Sequence, residues 1–124
     1  MTRLPRPAVV QAAFYAIGGA WPLVAYGTFE AVTGRKREPW LVKTVAVLML
    51  AIAAALAADP DGRSPAARRL GVGSAVAFGV VDVWYGGLRR RISPIYLVDA
   101  IAEAALVALW WLDVRRAREG DAGG

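Results

Sequence analysis

The chain has 124 residues, enough for one domain, and 57% of them are hydrophobic, with a mean hydropathy of +0.42. It has no cysteine and no histidine, which excludes disulfides, thiol and imidazole catalysis and most zinc sites, and we expect no metal or cofactor. The net charge of +5 comes from basic residues at the ends of apolar runs, which indicates contact with lipid headgroups rather than nucleic acid.

Four apolar runs predict an all-α, multi-pass integral membrane protein. The predicted spans cover residues 8–33, 40–58, 70–88 and 95–114, followed by a flexible charged tail at 115–124. The first run is too long for a signal peptide, and its Pro22 predicts a kink. Short connections between the spans predict one transmembrane domain over residues 1–124, a four-helix up-down-up-down bundle with the lipid bilayer as its surroundings.

A face of small residues on the third span predicts helix contact. Gly71, Ala75 and Gly79 recur at every fourth position, a spacing that lets helices approach closely in a membrane. Because four short helices leave little room for a closed pocket, we predict a homo-oligomer, preferably a dimer, that uses this face.

The basic residues leave the membrane orientation open. Eight lie on the side of both chain ends and the 59–65 loop, and seven lie on the other side, so the positive-inside rule gives almost no bias. One orientation is the favoured interpretation, and insertion in both orientations is the alternative. Tryptophans are expected as anchors at the membrane interface at Trp40, Trp110 and Trp111.

Charged residues within the apolar runs predict a polar layer near one end of the bundle. At 1.5 Å per residue, Glu30 and Lys43 lie roughly 6 Å from the first basic turn. Asp82 and Asp99 lie roughly 9 Å and 7.5 Å from the other turn on that side. Glu103 lies one turn deeper than Asp99 on the same helix face. Each helix thus places a charge at a similar depth, which predicts a pocket.

Aromatic residues share these helix faces. Tyr96 lies on the stripe of Asp99 and Glu103, a stripe that continues to Leu106 and Trp110. On the third span, Tyr85 shares a stripe with Asp82. The predicted ligand-binding residues are Glu30, Lys43, Asp82, Tyr85, Tyr96, Asp99 and Glu103. If the protein is an enzyme, the predicted catalytic residues are Glu103, Asp99 and Asp82.

Glu103 is the hardest of these charges to explain structurally, because an uncompensated charge near a helix centre costs about 2.5–3.5 kcal/mol. Four acids and one lysine leave three negative charges in excess, unless the arginines at 89–91 compensate. We therefore expect Glu103 to be protonated near neutral pH, or to share a proton or cation with Asp99. Alternatively, Glu30 and Lys43 form a structural pair or reach the surface.

Two stretches resemble small four-helix bacterial membrane proteins. They are residues 29–36 (FEAVTGRK) with 40–45 (WLVKTV), and residues 91–99 (RISPIYLVD). The resemblance covers most of the chain and implies the fold and a multi-pass location in the inner (plasma) membrane of a bacterium. It brings no activity with it. In length and span number alone, the chain is also similar to small multidrug transporters and fluoride channels.

Three functions fit the predicted pocket. The first is binding or transport of a cationic or proton-coupled small molecule, held by carboxylates and covered by aromatic rings. The second is an intramembrane acid/base enzyme, an isomerase or cyclase acting on a lipid or isoprenoid. The third is a structural or accessory membrane subunit whose polar layer fixes helix register. We rank binding or transport first.

Overall fold

The computed structural model describes residues 5–34, 38–88 and 95–123. In these ranges the chain is helical and contains no strand, which confirms the all-α prediction. The helices are α1 (Pro7–Val24), α2 (Tyr26–Thr33), α3 (Pro39–Ala57), α4 (Pro65–Val81), a π-helix (Asp82–Leu88) and α5 (Tyr96–Gly123).

The first predicted span is two helices rather than one kinked helix. Ala25 separates α1 from α2, with a non-helical backbone at φ −138° and ψ 64°. Pro22, shortly before it, lacks the amide hydrogen that would continue the helical bonding pattern. Across the break the Trp21 indole donates to the Thr28 hydroxyl, which donates to the Ala25 carbonyl, each at 2.9 Å. The break is therefore a hydrogen-bonded turn.

Other helices differ from the prediction at their ends. α4 begins earlier than expected because Ser64 caps it, its hydroxyl accepting from the Ala67 amide at 3.2 Å. α5 continues as a helix to Gly123, past the predicted end of the fourth span at residue 114. The flexibility of the tail stays a prediction. An ion pair between Arg115 and Glu119, at 3.4 Å, links neighbouring turns of this extension.

α1 and α3 form one closely packed antiparallel pair. Near the end of α1, an added Cβ on Gly19 would lie 2.7 Å from the Ala46 carbonyl oxygen. Near the start of α1, Ala8 and Ala12 pack with Leu56. Small side chains therefore bring the two backbones together along their length.

The small-residue face of α4 packs on α5 of the same chain. An added Cβ on Gly71 would lie 2.6 Å from the Trp110 indole, and one on Gly79 would lie 3.6 Å from Glu103 Cβ. Ala75, between them, is buried. This packing corrects the prediction that the face is a contact surface for a second copy. The dimer itself stays a prediction.

Two of the described helices, α1 and α3, are long and apolar enough to cross a membrane. The apolar window of α3 has a mean hydropathy of 2.2, and only 17% of it is buried. Large apolar side chains elsewhere are also exposed, including Ile17 at 72%, Val24 at 84% and Ile101 at 72%. Much of the apolar surface of the bundle therefore faces outward.

Candidate functional site

Two carboxylic acids lie inside the bundle and a third lies beside them. Asp82, at the start of the π-helix, is 5% exposed, and Glu103, on α5, is 1% exposed. In the described part of the chain, the Asp82 Oδ2 atom is buried and has no hydrogen-bond partner. Asp99 is partly exposed and lies close enough to interact electrostatically with both acids. We call Asp82, Asp99 and Glu103 the carboxyl cluster.

Tyr15 connects the carboxyl cluster to α1. Its hydroxyl, on a fully buried side chain, donates to Glu103 Oε2 at 2.7 Å. Its ring packs edge-on against Phe78 of α4, with the ring centres 5.5 Å apart. The side chains of Ser74 and Gln11 also lie beside this hydroxyl. One tyrosine therefore contacts polar groups from three helices.

Gln11 is the centre of a second buried polar group. Its amide nitrogen donates to the Gly71 carbonyl at 2.8 Å and to the Ser74 hydroxyl at 3.1 Å. Its amide oxygen accepts the indole N–H of Trp110 at 2.7 Å. We call these four residues the glutamine clasp. The clasp joins α1, α4 and α5 through hydrogen bonds that satisfy the Gln11 amide inside the bundle.

The π-helix decides which neighbours of Asp82 face inward. A π-helix has more residues per turn than an α-helix. The third residue after Asp82 therefore points further away from the Asp82 face than it would in an α-helix. Tyr85, predicted on the Asp82 face, is accordingly 44% exposed, whereas Gly86 is buried. Tyr85 therefore lies outside the interior. π-Helical turns inside longer helices are frequent at functional sites.

The remaining predicted site residues lie around Tyr26, on α2. The Lys43 ammonium is 5.6 Å from the centre of the Tyr26 ring, and Lys43 is exposed. Glu30 and Tyr96 are partly exposed, and both interact electrostatically with Tyr26. Lys43 is the single charged residue of α3, so that helix places no charge in the interior. The predicted compensating arginines at 89–91 lie outside the described residues.

Sequence reasoning missed three of the polar residues in the interior and misplaced a fourth. The predicted polar layer rests on charged residues. Gln11, Tyr15 and Ser74 carry no charge, so it does not include them. Trp110, predicted as an interface anchor, is fully buried, which corrects that prediction. One signal was present, because Gln11 is the sole carboxamide side chain of the sequence and lies in an apolar run.

A surface groove of about 330 Å³ lies apart from this interior. It is lined by Lys43, Thr44, Val47 and Leu48, all on α3, and Lys43, Thr44 and Val47 are exposed. No group of three or more acids in the described ranges is arranged to hold a metal ion.

Comparison with protein-family models, with curated proteins and with solved structures finds no match to this chain. The carboxyl cluster and the glutamine clasp are therefore the basis for a functional proposal.

We expect Tyr15→Phe to lower the free energy of unfolding by about 1–3 kcal/mol, because Glu103 loses its buried donor. The ring keeps its packing on Phe78. Unfolding in detergent micelles, followed by circular dichroism, measures the change. The matched control, Tyr85→Phe, removes an exposed hydroxyl and should change stability by less than about 0.5 kcal/mol. Unchanged stability of Tyr15→Phe would show that this bond does not stabilise the fold.

Proposed function

We propose that this protein is a four-helix, up-down-up-down membrane protein of the bacterial inner membrane that exchanges protons for a small cation. The observation that carries the proposal is Asp82, a buried acid beside Asp99 and Glu103, with one oxygen that has no hydrogen-bond partner in the part of the chain that the structure describes. Neither ion pair found among the described residues reaches these acids. An acid cluster inside an apolar bundle, with no cation beside it among residues 5–34, 38–88 and 95–123, suits the binding of protons or a cationic ligand.

Membrane location is supported by the surface of α3. A core helix of a soluble protein buries most of its apolar surface, whereas α3 leaves most of its own exposed. In water that surface is unfavourable by about 25 cal/mol per Å². In hydrocarbon the same surface is the favoured one. A bilayer around the bundle therefore explains the exposed side chains without a partner protein.

The two remaining spans in this proposal contain the acids. α4 and the π-helix follow each other without a break, with 17 and 7 residues, which is enough to cross about 30 Å of hydrocarbon. α5 has 28 residues, and its deepest acid, Glu103, is turned inward against α4. Asp82 and Glu103, two of the charged residues that lower the hydropathy of these spans, are thus kept away from lipid.

The chemistry of the cluster links protons to cations. A carboxyl group that is protonated in the closed bundle becomes a cation ligand when it releases its proton. Because the two ligands compete for the same oxygens, each must weaken the binding of the other by the same factor. The edge-on pair of Tyr15 and Phe78 supplies aromatic surface close to Glu103. An organic cation is therefore the substrate class that this site suits.

We expect Glu103→Gln to fold normally and to slow cation-driven proton movement by about tenfold or more, equal to ~1.4 kcal/mol or more in the barrier. The amide oxygen of glutamine accepts the same Tyr15 hydrogen bond, but the side chain no longer titrates. The assay uses proteoliposomes that enclose a pH-sensitive dye, with an external pulse of tetramethylammonium chloride as the probe. Asp82→Asn is expected to behave in the same way.

Glu119→Gln is the matched control, since Glu119 is an exposed acid on the same helix. It should leave the rate of proton movement unchanged. Proton movement that is equal in wild type, Glu103→Gln and Asp82→Asn would remove the cluster from the function.

A structural role is the second candidate, because Tyr15 and the glutamine clasp join α1, α4 and α5 by hydrogen bonds. It predicts that neutralising the acids changes unfolding without changing proton movement. The intramembrane-enzyme hypothesis and the proposed dimer stay predictions.

A further inference from the structure

Polar groups of four helices lie next to one another inside the bundle, in a row that we call the polar track. It begins at the partly exposed Asp99 and passes to the buried Asp82 and Glu103. Glu103 accepts from Tyr15 at 2.7 Å, and Ser74 lies beside the same hydroxyl. The groups that interact with Glu103 thus come from α1, from the π-helix and from its own helix.

Members of this track differ in their ability to pass a proton. Carboxyl groups and the Tyr15 hydroxyl can each both donate and accept a hydrogen bond, as proton relay requires. The Ser74 hydroxyl, by contrast, already donates to the Leu70 carbonyl at 2.6 Å. Beyond Ser74 the track meets Gln11, whose amide hydrogens and oxygen are already used in fixed bonds. The next group, the Trp110 indole, is a donor only. Proton relay along the track therefore ends at the glutamine clasp.

Trp110 also closes the bundle sterically at this end. Added Cβ atoms on Gly71 and Gly62 would lie 2.6 Å and 2.9 Å from its indole. Gly62 belongs to the connection between α3 and α4 and has a positive φ of 62°, a conformation that glycine adopts readily. The fully buried indole thus fills the space between the clasp and this connection.

We propose that the polar track is a proton half-channel: it exchanges protons at the Asp99 end of the bundle and is sealed at the other end by Trp110. Exposure along the track supports the direction, because Asp99 is partly exposed whereas Asp82 and Glu103 are 5% and 1% exposed. The inference rests on the proposed membrane location but not on any cation substrate. A sealed half-channel lets the carboxyl cluster load and release protons without a leak across the membrane.

The test is the passive proton permeability of proteoliposomes, measured with an enclosed pH-sensitive dye and with valinomycin and potassium to clamp the membrane potential. No organic cation is added, so a failed tetramethylammonium exchange leaves this test standing. Wild type should be nearly impermeable. Trp110→Ala should raise the proton flux by about tenfold or more, a fall of ~1.4 kcal/mol or more in the barrier. The vacated space is lined by Gln11 and the Gly71 carbonyl, so water can enter it.

Two further variants show whether the flux follows the track. Adding Glu103→Gln to Trp110→Ala should return the flux to within about twofold of wild type, since the relay is broken (~0.4 kcal/mol in the barrier). Trp111→Ala removes the neighbouring tryptophan, which is 57% exposed, and should leave the flux unchanged. These two results separate a defined path from a general packing defect.

Should Trp110→Ala give no folded protein, Gln11→Ala replaces it in the same assay. That variant removes the amide between Ser74 and the indole and leaves polar space that a water molecule can occupy. It should raise the flux in the same Glu103-dependent way. The proposal is overturned if the folded variants leave the flux at the wild-type value, or if the raised flux persists after Glu103→Gln.

Discussion

Trp110→Ala is expected to lower the free energy of unfolding by about 3–5 kcal/mol, the range for removal of a large buried aromatic side chain. The indole is fully buried and forms a core cluster with Ala8, Ala12 and Leu56. Its removal leaves a cavity between three helices, because the backbones on either side cannot close fully. It also leaves the Gln11 amide oxygen without its donor, which adds about 1 kcal/mol.

Unfolding of the purified variant in detergent micelles, followed by circular dichroism, measures this loss. Trp111→Ala is the matched control, because it removes the same side chain from the next position, where 57% of it is exposed. It should lower the unfolding free energy by no more than about 1 kcal/mol, the upper value for the exposed cation–π contact with Arg115 that it removes. Similar losses in the two variants would mean that Trp110 does not pack as described.

The helical class and the inward face of α5 could be predicted from the sequence. Long apolar runs separated by turn residues specify helices, and α-helical spacing placed Glu103, Leu106 and Trp110 on one stripe. All three are buried, at 1%, 5% and 0% exposure. The α-helical period predicts this inward face correctly because α5 keeps its α-helical geometry over the whole stripe.

The role of Trp110 could not be predicted from its own helix. Tryptophan has a large apolar ring and one polar N–H, so it suits both a membrane interface and a buried hydrogen bond. The choice depends on space next to Gly71 and Gly62 and on the acceptor oxygen of Gln11. The acceptor oxygen belongs to α1, and the space lies next to α4 and the connection before it. Spacing along α5 does not predict which residues of other helices lie beside Trp110.

Residue spacing also does not predict two changes in backbone geometry. The break at Ala25 divides the first predicted span, and the π-helix from Asp82 changes which later residues face inward. A constant α-helical period therefore placed Tyr85 on the wrong face. Both changes replace regular α-helical backbone bonds, the first after Pro22 and the second in the π-helix.

The depth of each acid in the membrane predicts the carboxyl cluster but not its uncharged hydrogen-bond partners. Counting residues from the turns placed Asp82 and Asp99 at similar depth with Glu103 one turn further, and the structure brings these acids together. Counting along one helix does not say which residue of another helix faces Glu103. The hydroxyl of Tyr15 fills that position because α1 packs parallel to α4 and antiparallel to α5.

Gly71→Leu is expected to destabilise the bundle by at least about 3 kcal/mol, the upper end for overpacking of a core. An added Cβ alone would lie 2.6 Å from the Trp110 Cε2 and Cζ2 atoms and 2.7 Å from Nε1. The indole cannot turn away cheaply, because its N–H is held by Gln11 and its far edge lies against Gly62. The added side chain therefore forces α4 and α5 apart.

The same geometry predicts a rescue, which is the sharper form of this test. In the Gly71→Leu, Trp110→Ala double variant, the leucine enters the space that the indole has vacated. The double variant should be more stable than the sum of the two single losses by about 2 kcal/mol, a coupling typical of residues in direct contact. Gly73→Leu is the matched control on α4, because an added Cβ there meets no atom within 4 Å. It should be neutral or stabilise the helix by up to about 1 kcal/mol, since glycine is a poor helix former. Strictly additive losses at Gly71 and Trp110 would contradict the contact between them, and with it the seal proposed for the half-channel.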